Sequence, residues 1–519
     1  MRRREFLAGA AGLALGTSFW ERALRAQARA AASSYGALGA ADANGLRLPP
    51  GFSSREIARA NRPVPGTAYA WHVFPDGQAT FATADGGWVL VSNSESLAAS
   101  GSGSSAIRFR GDGAIADAYR ILSGTNANCA GGGTPWGRWL SCEEHDYGHV
   151  WECDPMRPGQ GVIRPALGTF NHEAAAVDPG TGAVYMTEDR PDGGLYRFTP
   201  DAPGDLRSGL LEIAVDAGPD RLAFAPVPDP GAVFAPTRQQ VPGTRRFSGG
   251  EGIWYDGGTV FFSTKGDNRV WSYETATGAL GTIYDKAAAG VEAPLSGVDN
   301  LTVNPAGEIF VCEDGDDMEI CVIEPGGTVA PFLQLVGEAA EGLPGRGNEL
   351  AGAVFDPSHR RLYFAAQRAH GFGAVYEVTG PFHGAAAAAP LAAGSEPAVR
   401  RRPAVRMSMP GRVRLGTLTG RGLAVELELR DAESVVVALR SDELARVAGK
   451  RGSTERPRTV TLARARRKGR ARMRLRLRVG GAGARRLRGR RSTPARVTVV
   501  AHGRDGRTRV VTRAVRIVR

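Results

Sequence analysis

A three-strand unit recurs along the middle of this chain, and it limits the fold more than any other feature. Each copy has an apolar stretch, a turn with Asp or Asn, a short apolar strand, a polar tip and a third strand. Apolar residues that alternate with polar ones, interrupted by frequent turns, indicate antiparallel sheet. The clear copies are "AAVDPGTGAVYMTEDRPDGGLYRF" (175–198), "GIWYDGGTVFFSTKGDNRVWSYE" (252–274), "NLTVNPAGEIFVCEDGDDMEICVIE" (300–324) and "GAVFDPSHRRLYFAAQRAHGFGAVYEV" (352–378), with weaker copies at 83–95 and 133–145.

These units predict an all-β body built as a β-propeller of about six blades, because a propeller buries each sheet against the next. An array of β-sandwiches is the alternative. The loops between copies vary from short to about 50 residues, and long loops in such a fold usually carry function.

Polar residues recur at two points of the unit. At the end of the central strand the copies carry Asn93, Glu143, Glu188, Lys265, Glu313 and Gln367. Just ahead of the first strand they carry Glu173, Glu251, Asp299 and Glu349. Carboxylates that meet at a propeller axis repel one another unless cations lie among them, and calcium is a usual partner of oxygen ligands. Solvated turn residues are the alternative interpretation for each single position.

The cysteines suggest a softer metal as well. Cys142 and Cys153 lie on candidate adjacent strands, as do Cys312 and Cys321, so two cross-strand disulfides are expected. Cys129 is then left over in the glycine-rich stretch "NCAGGGTPWGRWLSCEEH" (128–145). A leftover thiol is inert and buried, reactive, or bound to a metal, and a thiolate ligand favours iron or zinc over calcium.

Charge divides the chain into an acidic body and a basic tail. Residues 401–519 hold 34 Lys and Arg against 8 Asp and Glu, a net charge of +26, whereas the whole chain carries +12. An Ala/Pro/Gly linker at 383–403 separates a body at 31–382 from a basic β-sandwich-like domain at 404–519. We expect this domain to favour anionic cell-envelope polymers or a membrane surface, and no specific nucleic acid. A merely solvated basic face is the alternative.

The first 30 residues have the pattern of an export signal. Arg3 and Arg4 are followed by Phe6-Leu7, a short weakly apolar run and small residues near 26–30. This arrangement is typical of the twin-arginine route, which exports folded proteins. We therefore expect a periplasmic, cell-surface or extracellular protein, without an internal membrane span.

Several motifs together resemble the PhoX family of bacterial alkaline phosphatases over roughly residues 40–380. They are "NCAGGGTPWGRWLSCEE", "NHEAAAVDPGTGAVYMTED", "GEGIWYDGGTVFFSTKGDNRVWSYE", "DNLTVNPAGEIFVCEDG" and "NELAGAVFDPSHRRLYFAAQ". The resemblance implies a six-bladed propeller exported by the twin-arginine route. It also implies an axial cluster of Fe³⁺ and Ca²⁺ that hydrolyses phosphomonoesters.

The resemblance assigns roles residue by residue. It makes Cys129 an iron ligand, Glu251 and Glu349 metal ligands needed for catalysis, and Glu144, Glu173 and Asp299 the remaining metal contacts. One departure is that Gly249-Gly250-Glu251-Gly252 stands where the family has Arg-Pro-Glu-Trp. The phosphate-binding arginine is therefore missing, and Arg245, Arg246 or Lys265 is expected to replace it.

Two other functions remain open from the sequence. A lactonase-like calcium propeller hydrolase would need the carboxylates but no thiolate. A non-catalytic surface propeller would keep calcium for stability only. Bound iron separates the phosphatase from the lactonase, and hydrolysis of a phosphoester separates it from the non-catalytic propeller.

Overall fold

The computed structural model divides the chain into two compact units, residues 1–388 and 389–519, with the boundary inside the expected linker. The structure describes residues 29–30, 33–290, 293–315, 317–385, 404–430, 434–445, 456–468, 472–479, 487, 492–502 and 508–518. Most of the expected signal peptide and linker, 1–28 and 386–403, therefore lies outside the described residues. No helix among the described residues is long and apolar enough to cross a membrane.

Three strands precede the first sheet of the first unit, and each joins a sheet formed later in the chain. They are β1 (Arg29–Ala30), β2 (Leu46–Arg47) and β3 (Ser53–Arg59).

The described part of the first unit forms six sheets, which are antiparallel apart from one short parallel pair. The first sheet contains β4 (Pro75–Ala82), β5 (Trp88–Ser94), β6 (Gly103–Phe109) and β7 (Ile115–Ser123). The second contains β8 (Asn128–Gly133), β9 (Trp139–Glu143), β10 (Val150–Cys153) and β11 (Val162–Ile163). The third contains β12 (His172–Val177), β13 (Val184–Glu188), β14 (Leu195–Ala202), β15 (Asp205–Asp216) and β16 (Leu222–Pro226).

The other three sheets continue the same order. The fourth contains β17 (Gly250–Asp256), β18 (Thr259–Thr264), β19 (Arg269–Glu274) and β20 (Leu280–Asp285). The fifth contains β21 (Val298–Val303), β22 (Ile309–Glu313), β23 (Glu319–Ile323) and β24 (Thr328–Leu335), to which β1 and β2 add. The sixth contains β25 (Leu350–Phe355), β26 (Arg361–Ala366) and β27 (Ala374–Thr379), with β3 as its outer strand.

Helices in this unit are short. The α-helix α1 covers Lys286–Ala289, and its N-cap Asp285 accepts from the amides of Ala287 and Ala288. The described 3₁₀ turns are Ala98–Ser100, Pro165–Leu167, Thr237–Gln239, Gly337–Ala339 and Ala369–Gly371.

The six sheets are arranged like the blades of a propeller. The first strand of each sheet contacts the first strand of the next, in the order β4, β8, β12, β17, β21 and β25, and β25 contacts β4 again. Because β3 comes from before the first sheet and pairs with β27 of the last, the ring is also closed by hydrogen bonds between distant parts of the sequence. The prediction of an all-β, propeller-like body is confirmed.

Hydrophobic clusters fill the space between neighbouring sheets. In β26, Leu362 and Phe364 enter the cluster shared with the fifth sheet, whereas Tyr363 and Ala365 enter the cluster shared with the first. Both faces of the strand are therefore buried, which explains why such strands appear as nearly continuous apolar runs in the sequence.

Backbones approach closely where first strands meet. A Cβ built on Gly132 in β8 would overlap the carbonyl oxygen of Ala175 in β12 and lie 2.7 Å from its carbonyl carbon. A Cβ on Gly252 in β17 would lie 2.5 Å from the Cα of Asn300 in β21. Since real side chains do not tolerate such distances, these positions require glycine.

The expected disulfide between Cys142 and Cys153 is wrong, because the two side chains lie on opposite faces of one sheet. Cys142 is opposite Val150, and Cys153 is opposite Trp139, three residues from Cys142 on β9. Residues three apart on a strand face opposite sides. Accordingly, Cys142 packs toward the third sheet and Cys153 toward the first.

The second expected disulfide fails for the same reason. Cys312 is opposite Ile320, and Cys321 is opposite Val311, so the two cysteines are offset by one position across β22 and β23. They enter different hydrophobic clusters. All five cysteines are free and buried.

The second unit has two sheets around one core. One sheet contains β28 (Ala404–Ser408), β30 (Leu423–Arg430) and β33 (Arg472–Leu477). The other contains β29 (Arg412–Arg414), β31 (Ser434–Ala445), β32 (Arg456–Lys468), β34 (Ser492–His502) and β35 (Thr508–Val518). The helix α2 covers Leu415–Thr419. Buried residues of both sheets form a single hydrophobic cluster, and in β33 exposed Arg474 and Arg476 alternate with buried Leu475 and Leu477.

We predict that Gly132→Ala destabilises the first unit by about 1–3 kcal/mol, the usual cost of forcing extra atoms into a packed region. Gly326→Ala is the matched control, since no atom lies within 4 Å of the added Cβ. Urea unfolding followed by tryptophan fluorescence measures both. Equal midpoints for the two variants would contradict the close approach of β8 and β12.

We predict that the denatured protein, in chelator and without reductant, exposes five reactive thiols per chain, as the five free cysteines require. Titration with a thiol reagent and peptide mapping measure the number. A single reactive thiol that becomes five on reduction would restore the two cross-strand disulfides.

Candidate metal centre

Five first strands present a potential ligand at the same place. The second residue of the strand is Asp76 in β4, Cys129 in β8, Glu173 in β12, Glu251 in β17 and Asp299 in β21. In each of these strands the register shifts between the first and fourth residues, so the potential ligand lies within the shift, as in a β-bulge. A bulge redirects side chains, and all five side chains are buried.

The sixth sheet departs from this pattern. Its first strand begins at Leu350, so Glu349 precedes the strand and Ala351 occupies the second position. The sequence alignment of Glu349 with Glu173, Glu251 and Asp299 is therefore wrong. Those three acids are the second residues of their strands, whereas Glu349 comes before its strand. The side chain of Glu349 accepts from Nη1 of Arg368 at 2.7 Å.

Three groups of ligand atoms lie side by side in this region. In each group the atoms are all within 4.8 Å of one another: Asp76, Glu95 and Cys129; Cys129, Glu144 and Glu173; and Glu173, Glu251 and Asp299. Cys129 and Glu173 each belong to two groups, so the three groups are continuous. The Cys129 thiol donates to Oε1 of Glu173 at 3.3 Å. We call these seven residues the axial cluster.

Three glutamates at the ends of central strands do not join the axial cluster. Glu143 accepts from the amides of Asn126 and His149, and Glu313 accepts from those of Ser296 and Glu319. Glu188 accepts in the same way from the amide of Gly194 and from the Tyr196 hydroxyl. These carboxylates hold loops in place.

The polar residues at the other three central-strand ends contact the axial cluster or the backbone that carries it. Asn93 donates to the carbonyl oxygens of Cys129 and Ala130 at 3.2 and 2.8 Å, which fixes the loop that carries the thiol. Gln367 donates to Asp76 and Glu95 at 2.5 and 2.6 Å. The third residue, Lys265, places its ammonium group beside Glu251 and Asp299 of the axial cluster.

The Lys265 ammonium lies among three carboxylates. Its Nζ is 3.0 Å from Oε1 of Glu251, 3.1 Å from Oδ2 of Asp314 and 3.9 Å from Oδ2 of Asp299. Burial alone would lower its pKa, but the carboxylates outweigh burial and raise the pKa well above the usual range. Lys265 is therefore a fixed positive charge at neutral pH.

The arginines expected to bind phosphate lie in other ion pairs. Arg246 is 57% exposed and contacts Asp192 at 3.0 Å, and Arg245 contacts Asp216 at 3.1 Å. Arg368 is buried instead: it pairs with Glu349 at 2.7 Å, and its charge acts on Asp76 and Glu95 of the axial cluster.

Burial and mutual repulsion disfavour the charged forms of the cluster acids. They raise the pKa of Glu144 and Glu173 well above the usual range. Burial raises the pKa of Asp299 to about 8 in spite of Lys265, and burial together with Asp76 raises that of Glu95 to about 6. Buried carboxylates that repel one another are stabilised when they bind a cation or a proton.

The donor set fits metal ions. Oε2 of Glu173 is buried and has no hydrogen-bond partner among the described residues. Burial and the nearby acids raise the pKa of the Cys129 thiol, so a metal would be needed to hold it as a thiolate. Oxygen ligands suit hard cations and the single sulfur suits a transition metal.

A cavity of about 470 Å³ lies between the first strands, and its lining begins at the residues that follow the axial-cluster positions on β4, β8, β12, β17 and β21. Much of its lining is glycine or alanine, including Gly77, Ala130 and Gly352, which follows from the close approach of the strands. Asn300 and Thr302 place polar atoms without partners among the described residues in its wall.

Sequence reasoning missed several members of this region. Asp76 stands in "FPDGQATF", where an acid precedes a strand as in "FNHEAAAV", so the same signal applied one sheet earlier would have found it. Arg368 stands next to Gln367. Glu95 and Asp314 carry no such signal, because only the approach of loops from different sheets brings them to the cluster.

Comparison with solved structures gives distant matches. A Bacteroides thetaiotaomicron VPI-5482 protein of unknown function is 12% identical with a TM-score of 0.40, covering 63% of this chain and 76% of that one. A luciferin-regenerating enzyme is 13% identical with a TM-score of 0.35, covering 64% and 96%. A putative 6-phosphogluconolactonase from Bacteroides uniformis ATCC 8492 is 15% identical with a TM-score of 0.30, covering 55% and 80%. No curated protein matches the chain.

The family comparison is decisive. Residues 78–146 and 144–370 match the model described as alkaline phosphatase PhoX. This match spans more than half of the 519 residues and includes six of the seven axial-cluster residues. The chain therefore belongs to the PhoX family of alkaline phosphatases.

Proposed function

We propose that the first unit is a six-bladed β-propeller that hydrolyses phosphomonoesters with Fe³⁺ and Ca²⁺ held at the axial cluster. The observation that carries the proposal is the Cys129 thiol within 4.8 Å of acids on both sides, in a member of an alkaline phosphatase family. A lactonase-like site built from carboxylates and calcium gives no reason for this thiol.

The two groups that share Cys129 are the best sites for metal. Asp76 and Glu95 on one side and Glu144 and Glu173 on the other would supply oxygen ligands, with Cys129 between them. Bound metal would neutralise phosphate charge, polarise the phosphorus and lower the pKa of a bound water. The thiol favours iron in this position, and the carboxylates favour calcium.

The chain's own cations would orient the substrate. Lys265 keeps about a third of its side chain exposed and can offer an ammonium proton to a phosphate oxygen. Arg368 is more deeply buried and would act through its field. We propose that Glu251 and Glu349 each position one of these cations, Lys265 and Arg368 respectively. The role of Arg246 as a phosphate ligand remains a prediction.

Access to the acidic body needs such cations. A phosphomonoester is an anion, and the axial cluster together with Asp314 and Glu349 is rich in carboxylates. Without bound metal the site would repel its substrate. A non-catalytic propeller that binds calcium only for stability is the remaining alternative, and an activity assay separates the two.

We also propose export by the twin-arginine route, on the Arg3-Arg4 pattern and the need to bind metal during folding. The second unit is proposed to be a β-sandwich, on its two sheets around one core. Its exposed arginines support binding to an anionic envelope polymer or membrane surface.

We predict that Glu173→Gln lowers the hydrolysis of a chromogenic phosphomonoester by about 100-fold or more, since even outer-sphere changes at metal sites cost 10–100-fold. The neutral amide removes one charge from both groups that share Glu173. Glu152→Gln is the matched control, because Glu152 in β10 pairs with Arg164, which follows β11 and lies outside the axial cluster. Metal-replete wild-type protein without activity would contradict the phosphatase proposal.

We predict that Cys129→Ala loses bound iron while the fold persists, because several other residues still hold the cluster together. Metal analysis and circular dichroism of protein purified after export measure the two properties. Cys153→Ala is the matched control, as its thiol lies in an apolar cluster. Equal iron in the two variants would leave Cys129 as a buried apolar thiol.

A further inference from the structure

Protein cations are distributed unevenly over the axial cluster. Among the described residues, neither Lys nor Arg forms an ion pair with Asp76, Glu95, Glu144 or Glu173. The third group differs, because Lys265 contacts Glu251 directly and lies 3.9 Å from Asp299. In the described part of the chain, two groups thus have no Lys or Arg in ion-pair contact, and the third has Lys265.

The position of Lys265 is fixed by its backbone. Lys265 follows β18, and its amide donates to the carbonyl oxygen of Gly249 at 2.8 Å. The next amide, of Gly266, donates to the carbonyl oxygen of Ser248 at 3.0 Å. Two backbone hydrogen bonds therefore hold this turn against the segment before β17, which carries Glu251.

The ammonium surroundings resemble those of a bound cation. Three carboxylate oxygens from three different segments surround Nζ, at 3.0, 3.1 and 3.9 Å. Carboxylates from separate segments around one positive charge are also what a calcium ion requires. A divalent ion placed between Glu251 and Asp299 would lie next to Nζ, and like charges in a buried site repel strongly.

We infer that the Lys265 ammonium takes the place of a divalent cation in the group formed by Glu173, Glu251 and Asp299. Metal binding is then confined to the two groups that share Cys129. Removing the lysine charge unmasks a calcium site made of Glu251, Asp299 and Asp314. This inference refines the proposed function by stating where cations bind, but it concerns the number of ions and not hydrolysis.

The test compares Lys265→Met with Lys286→Met and wild type. Lys286 lies in α1, outside the axial cluster, so the control removes the same charge and chain length elsewhere. Each protein is equilibrated with calcium chloride, and bound calcium is counted by metal analysis and titration calorimetry. We expect one additional calcium ion per chain in Lys265→Met, and no gain in Lys286→Met.

A thermal measurement gives a second readout. Without calcium, Lys265→Met should melt below wild type, since the carboxylates lose their counter-charge. Added calcium should raise its melting temperature more than that of wild type, because a ligand that binds only the folded state stabilises it by mass action. Lys265→Arg, which keeps the charge, should behave as wild type.

The outcomes separate this inference from the phosphatase proposal. Equal calcium counts in Lys265→Met and wild type, with equal calcium dependence of melting, would overturn the role of Lys265 whatever the activity. If Lys265→Met folds only in calcium, the gain of a site is supported directly. An inactive wild type with the expected calcium difference would overturn the phosphatase proposal alone.

Discussion

The close approach of the six first strands is the constraint on which the rest of the first unit depends. Glycine at positions such as 132 and 252 lets backbones meet without side chains between them. Short distances between strands then bring the second residue of each strand together with its neighbours. The same packing that closes the ring therefore concentrates acids in one buried place, and the fold and the site have one physical cause.

Concentrated buried acids need positive charge, and the structure provides some of it from the chain. Lys265 forms ion pairs with Glu251, Asp299 and Asp314, and Arg368 forms one with Glu349. The acids around Cys129 have no such partner among the described ion pairs, so external cations are most favourable there. Under our proposal, this asymmetry divides the site into a side that binds metal and a side whose acids Lys265 and Arg368 neutralise.

Membership of the PhoX family gives this division a functional meaning. The family match covers six of the seven axial-cluster residues. The motif around Glu251 has glycine where the resemblance to the family leads us to expect a phosphate-binding arginine, and the chain has Lys265 just after the following strand. A lysine is a compact charge with three donors, whereas an arginine forms a planar fork, so the two residues are not equivalent partners for phosphate.

The sequence by itself determined the antiparallel sheets and the ring position of Glu173, Glu251 and Asp299, because strand periodicity and turns are local properties. Its reason for singling out Cys129 was two disulfides that the structure does not form. Only the tertiary structure decided which face each cysteine takes, since this depends on register across strands. It also brought Glu95 to Cys129 and paired Glu349 with Arg368. Glu95 and Cys129 belong to neighbouring sheets, whereas Glu349 and Arg368 lie before and after two paired strands of the sixth sheet. Both contacts depend on how the strands pack in the folded chain, and no local pattern encodes such distances.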